Sequence, residues 1–305
     1  MKPLLALFLL ALAGIARAEE PGCARIRSTD MGWTDIVLTT TTADILLAGL
    51  GYRMSSTLLG LNVAYVSLKS GQIDVFMGNW RPAQDTEFAP YFETGWVEVL
   101  GRNLAGAKYT LAVPDYVAAA GVTSFDDLAK YPEKFNKSIY VIEPGTNQPL
   151  LDAVTAGRHG LGDWRVVETS EQAMLAQVHR AIARHEWVVF LGWQPHPMNL
   201  DLAMTYLSGG DDVFGPDFGS STVWTLARPG FAAACPNVAA LFRNLVFDVD
   251  YENAGMKRIT AGEDPKAVAS AMIKAHPEKL AVWLAGVATR DGQPGLPAVE
   301  QALAR

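Results

Sequence analysis

The chain is poor in the residues on which catalytic and metal-binding proteins rely. It holds two cysteines and five histidines in 305 residues. His159, His179, His185 and His196 are scattered, with no cysteine or second histidine at metal-ligand spacing. No G-x-S-x-G elbow and no H-E-x-x-H helix occurs, which argues against a serine hydrolase and a zinc hydrolase. Basic residues are in the minority, 25 Lys and Arg against 32 Asp and Glu. A net charge of −7 disfavours nucleic acid and anionic membrane as partners and weakly favours a cationic solute. Beyond the N-terminus no apolar run approaches the roughly 20 residues that a spanning helix needs.

What is present starts with an export signal. Lys2 gives a basic start, Leu4–Ile15 an apolar run, and Ala16-Arg17-Ala18 a small-x-small cleavage site, so Met1–Ala18 reads as a signal peptide. Cys23 does not follow that site directly, which argues against a lipid anchor and for a periplasmic protein. The mature chain from Glu19 is long for one core and suits two lobes. Hydrophobic residues at 50% give it a globular composition. In an oxidising compartment the isolated pair Cys23 and Cys235 favours a disulfide over a metal site. The alternative is two buried thiols that never meet.

Short apolar strands alternate with longer helical stretches, the pattern of an α/β sheet. Strands are expected at Ala24–Thr29, Ile73–Gly78, Val97–Gly101, Tyr109–Val113, Ser138–Ile142, Trp187–Gly192 and Ser221–Ala227. Helices fit Ile36–Gly49, Asp126–Tyr131, Gln148–Ala156, Glu171–Arg184, Val238–Phe247, Tyr251–Ala261, Pro265–Ala275 and Pro277–Leu284. Thr34 or Asp35 is placed to cap the first of these. An internal echo links Val75-Phe76-Met77-Gly78-Asn79-Trp80-Arg81-Pro82 with Val189-Phe190-Leu191-Gly192-Trp193-Gln194-Pro195. Two similar units, each ending in an aromatic, suggest two similar lobes face to face.

Trp33, Trp80 and Trp193 each stand just past the carboxyl end of an expected strand, where open α/β sheets collect ligands. One such tryptophan is ordinary packing; three at equivalent points are not. The other tryptophans fall inside elements and read as structural. Aromatic walls suit a cation that has no N–H to donate, because ring faces attract the charge and accept its methyl groups, each for about 0.5–2 kcal/mol. A ligand of choline's size has a ceiling near −10 kcal/mol. A micromolar dissociation constant needs about −8 kcal/mol, so the cage must be nearly complete.

The segments Gly32-Trp33-Thr34-Asp35, Gly78-Asn79-Trp80, Ala107-Lys108-Tyr109-Thr110, Ile142-Glu143-Pro144-Gly145 and Leu191–Met198 together resemble the glycine betaine/choline substrate-binding family of ABC importers, and within it the choline-binding periplasmic proteins. The resemblance covers nearly all of the mature chain. It implies a two-lobe periplasmic binding fold of type II, each lobe a mostly parallel sheet flanked by helices, joined by a two-crossing hinge. Residues 19–108 plus 223–305 would form lobe one and residues 109–222 lobe two. It also implies an aromatic box of Trp33, Trp80, Tyr109 and Trp193, with Asp35 as countercharge and Asn147 reaching the ligand hydroxyl. Choline, with acetylcholine or a betaine as further candidates, would be the ligand. A monomer would hand it to permease subunits, with no cofactor, metal or nucleic acid. An Asp beside a cage Trp repels a carboxylate, which favours choline over glycine betaine, proline betaine and carnitine. An exported choline-ester hydrolase is the rival class.

Overall fold

The computed structural model describes residues 21–305; the signal-peptide reading of Met1–Ala18 lies outside the described residues. Among the described residues nine strands form one mixed sheet. They are β1 Arg25–Asp30, β2 Arg53–Leu58, β3 Val75–Arg81, β4 Glu98–Pro114, β5 Ser138–Val141, β6 Arg165–Glu168, β7 Val189–Gln194, β8 Met204–Tyr206 and β9 Ser220–Ala227. Their spatial order is β2-β1-β3-β9-β4-β7-β5-β6, with β8 paired to β4.

That order repeats itself. In one half β2, β1 and β3 run parallel and β9 closes the set antiparallel. In the other half β6, β5 and β7 run parallel and β4 closes the set antiparallel. The internal echo thus falls on β3 and β7, which occupy the same place in the two halves. Both strands are buried nearly throughout, as expected of parallel strands covered on both faces. β4 and β9 pair with each other and run between the halves. This is the expected two-lobe α/β arrangement with two crossings.

The chain returns to its first lobe after β9. There the helix Thr34–Gly49 packs against the helices Val249–Thr260, Pro265–Ala275 and Gly295–Leu303. It buries Leu38, Leu46 and Leu47 completely. Gly255 lets two of these helices meet closely, since a Cβ there would stand 2.5 Å from Leu38 Cδ2. The return also brings Cys235 to Cys23, and the two form a disulfide with Cα atoms 5.5 Å apart.

Three expectations are corrected. Val97–Gly101 and Tyr109–Val113 are one continuous strand, β4, whose pairing with β9 shifts register around Gly101, Leu104 and Ala107. β2, β6 and β8 were not expected. The N-cap position of the first long helix is Trp33, and no side chain caps it, so neither Thr34 nor Asp35 has that role.

Candidate functional site

Each lobe turns the carboxyl ends of its parallel strands toward the other. β1 ends at Asp30, and a short turn leads into the Thr34–Gly49 helix, so Trp33, Thr34 and Asp35 sit at the helix start facing the cleft. β3 ends in Trp80-Arg81 and β7 in Trp193-Gln194, each followed by a cis proline, Pro82 and Pro195. Tyr109 lies in β4 directly opposite Trp193. The loop after β5 contributes Ile142 and Thr146. These segments close around one cavity lined by Trp33, Asp35, Trp80, Tyr109, Ile142, Thr146, Glu171 and Trp193.

The four aromatic residues are 3–4% exposed. Their polar edges are held by neighbours. Trp33 Nε1 donates to Glu143 Oε2 at 2.8 Å, and Trp80 Nε1 donates to Asp35 Oδ2 at 3.1 Å. Trp80 and Tyr109 are tilted by 47° with centroids 6.1 Å apart. Trp193 stands at 62° to the His196 ring, 4.8 Å away. A buried indole needs a partner for its N–H, and these contacts fix the rings of Trp33 and Trp80 in orientation. The resulting surface suits a methylated cation, which offers no hydrogen to an acceptor.

The electrostatics point the same way. Asp35 is buried, and its carboxyl is pushed up to about 7, first by burial and then by the charge of Glu171. Burial raises Glu143 too, against the opposing Trp33 hydrogen bond. Glu252, fully enclosed on the Val249–Thr260 helix, is raised well above the usual carboxylate range by burial and by Asp35. None of the eight lining residues is basic. The lining therefore carries two acids and no base. Arg81, the one arginine beside a cage tryptophan, pairs with Asp85 at 2.6 Å instead.

Five of the six ligand-contact candidates from sequence meet at this cavity: Trp33, Asp35, Trp80, Tyr109 and Trp193. Asn147 is buried next to it, against Tyr109 and Thr146. Its amide N–H groups serve Ile142 O at 3.0 Å, Glu143 O at 3.1 Å and Glu168 Oε1 at 2.9 Å. Its Oδ1 lies 3.5 Å from the Tyr109 hydroxyl, while its neighbour Thr146 takes the place on the wall. Sequence reasoning also missed Glu171. An acid in the first turn of a helix is unremarkable, but Ser170 already caps this helix by accepting from Ala173 N–H. A surplus acid beside a sufficient cap was the available signal. Among the described residues, no cluster of three His, Cys, Asp or Glu could hold a metal ion.

Residues 24–275 match the OpuAC family, the substrate binding domain of ABC-type glycine betaine transport systems. The chain is 48% identical to an ABC-transporter choline binding protein solved in complex with choline, covering 93% of this chain and 100% of that one, with a TM-score of 0.91. An unliganded, semi-closed structure of an ABC-transporter choline binding protein, also 48% identical at the same coverage, gives 0.85. A lactococcal OpuAC in its closed-liganded conformation with glycine betaine is 27% identical, over 85% of this chain and 98% of that one, with a TM-score of 0.77.

Proposed function

The chain belongs to the family of substrate binding domains of ABC-type glycine betaine transport systems, and on that premise we propose that it captures choline between its lobes for delivery to the importer. The observation that carries this reading is the convergence of four aromatic rings and a buried aspartate on one cavity with no basic side chain in its wall. Trp33, Trp80, Tyr109 and Trp193 surround the ammonium head, and Asp35 supplies the countercharge. Asn147, whose Oδ1 lies 3.5 Å from the Tyr109 hydroxyl, reaches the ligand hydroxyl beside the cage. The greater similarity to a choline complex than to an unliganded semi-closed form supports a closed arrangement.

Lobe one takes residues 19–108 plus 223–305 and lobe two residues 109–222. In support, β4 exchanges its β9 partner for β7 at Lys108. The protein works in the periplasm as a monomer, releases its ligand chemically unchanged and docks on permease subunits when closed.

Calorimetric titration with choline, acetylcholine and glycine betaine tests the reading. Choline is expected to bind at micromolar concentration or below. Trp193→Ala is expected to weaken it about five- to thirtyfold, the loss of one ring face worth roughly 1–2 kcal/mol. Glycine betaine binding tighter than choline would overturn the ligand, and a Trp193→Ala affinity within about twofold of wild type would remove that ring from the cage.

A further inference from the structure

The segment Gly32–Asp35 is held from the opposite lobe at three points. Gln172 Nε2 donates to Gly32 O at 2.9 Å, and Trp33 Nε1 donates to Glu143 Oε2 at 2.8 Å. At the third, the Glu171 carboxylate accepts the Thr34 hydroxyl at 2.5 Å and the Thr34 N–H at 3.3 Å. Of these cross-lobe acceptors only Glu171 also borders the aromatic cavity, where it joins Asp35. Both acids are 2% exposed. Each lies in the first turn of a helix, Asp35 in Thr34–Gly49 and Glu171 in Glu171–Ala183. Closing the cleft therefore presses one carboxylate from each lobe into the same dry space.

No basic side chain lines the cavity beside the pair. His196 Nε2 lies 3.4 Å from Glu171 Oε1, but its Nδ1 accepts the Met198 N–H at 3.0 Å. With Nδ1 accepting, Nε2 is the nitrogen left to donate to Glu171. Glu143 and Glu252, whose carboxyls burial raises, supply no positive charge either. Two like charges at low dielectric oppose one another strongly. A permanent cation between the rings cancels that repulsion. A neutral solute does not, and a betaine brings a carboxylate of its own.

We propose that Glu171 is a specificity-determining residue, acting with Asp35 so that the lobes close fully only on a ligand of net positive charge. The inference rests on the quaternary-ammonium reading of the cavity. It gives Glu171 two roles in one event: its charge tests the ligand, and its hydrogen bonds to Thr34 hold the closed form.

Two substitutions separate these roles. Glu171→Gln keeps the size and an acceptor oxygen for Thr34 but removes the charge. Thr34→Ala removes the side-chain clasp and keeps both charges. Affinities for choline and glycine betaine are measured by calorimetry on wild type and both variants, after circular dichroism confirms folding. In Glu171→Gln the preference for choline over glycine betaine is expected to shrink about tenfold or more, choline weakening while glycine betaine holds or gains. In Thr34→Ala both ligands weaken by a similar factor and the preference stays. A Glu171→Gln preference within about twofold of wild type, in a wild type that binds choline, overturns the role of Glu171 alone. A wild type that fails to bind choline overturns the cage reading beneath it.

Discussion

Asp35 concentrates the chemistry of the site in one carboxyl. Burial, then Glu171, raises it to about 7, so near neutral pH the ligand-free site holds close to half a proton there. A bound cation favours the carboxylate, and a proton competes with it. Affinity for choline is therefore expected to fall as pH drops through about 7. The loss should approach tenfold between pH 8 and pH 6 if one proton is displaced. Calorimetry at those two values checks this, and Asp35→Asn should bind weakly with a flat profile. A steep profile surviving in Asp35→Asn would move the effect to another acid. The linkage to stability has the opposite slope. A carboxyl whose folded value is raised holds its proton more tightly folded than unfolded, so it favours the empty protein at low pH and loses that contribution as pH rises from about 4 to 7. Glu143 and Glu252, also raised, push the same way. At this scale the sequence exposed the aromatic residues, because a Trp just past a buried strand has little else to do. It did not mark Thr146, which lines the cavity beside Asn147, since which loop residues face a cavity depends on backbone geometry that composition does not encode.

At the scale of elements, the loop between β5 and the Gln148–Thr155 helix decides how closely the lobes approach. Gly145 in that loop has φ +109°, and a Cβ there would lie 2.8 Å from Leu61 Cδ2, at the start of the Leu61–Lys69 helix in the other lobe. Gly145→Ala combines backbone strain of about 1–3 kcal/mol with a collision that exists only when the cleft is shut. Choline affinity is expected to fall about tenfold or more, and Leu61→Ala added to it should restore part of the loss by opening space. If the double variant binds no better than the single one, strain within the loop rather than lobe contact sets the effect. The elements themselves were unevenly legible. β3 and β7 announced themselves as continuous apolar runs because both faces are covered. β2 and β6 sit at the sheet's two edges and are largely exposed or half-buried, so they lack the burial pattern that marks a strand. β4 looked like two strands because Gly101-Arg102-Asn103 breaks its apolar run. In the fold Asn103 is buried and donates to Met77 O and Thr225 Oγ1, both at 2.9 Å, so a polar residue serves the inside of the sheet.

For the whole molecule, the disulfide separates stability from binding. The chain leaves its first lobe along β4, builds the second and returns along β9, so contacts far apart in sequence must hold the first lobe together. Cys23 and Cys235 tie the two ends of that excursion, 212 positions apart. In the chain-entropy account, closing a loop of that length stabilises by roughly 5 kcal/mol. The bridge lies at the amino end of β1, whereas Trp33 and Asp35 follow its carboxyl end. Six residues of strand put about 20 Å between them. If each lobe moves as a rigid body, removing the bridge should lower stability without reshaping the cage. Cys23→Ser with Cys235→Ser is therefore expected to lower the unfolding midpoint clearly, by a loss of about 2–5 kcal/mol, while choline affinity stays within about twofold. The stabilisation gained from ligand, about 2.7 kcal/mol at a hundred times Kd, should then be equal in the two proteins and visible as matching thermal shifts. Affinity falling along with the midpoint would mean that the aromatic walls depend on the whole lobe staying taut, and that the lobe is not the rigid unit which closure on a cation requires.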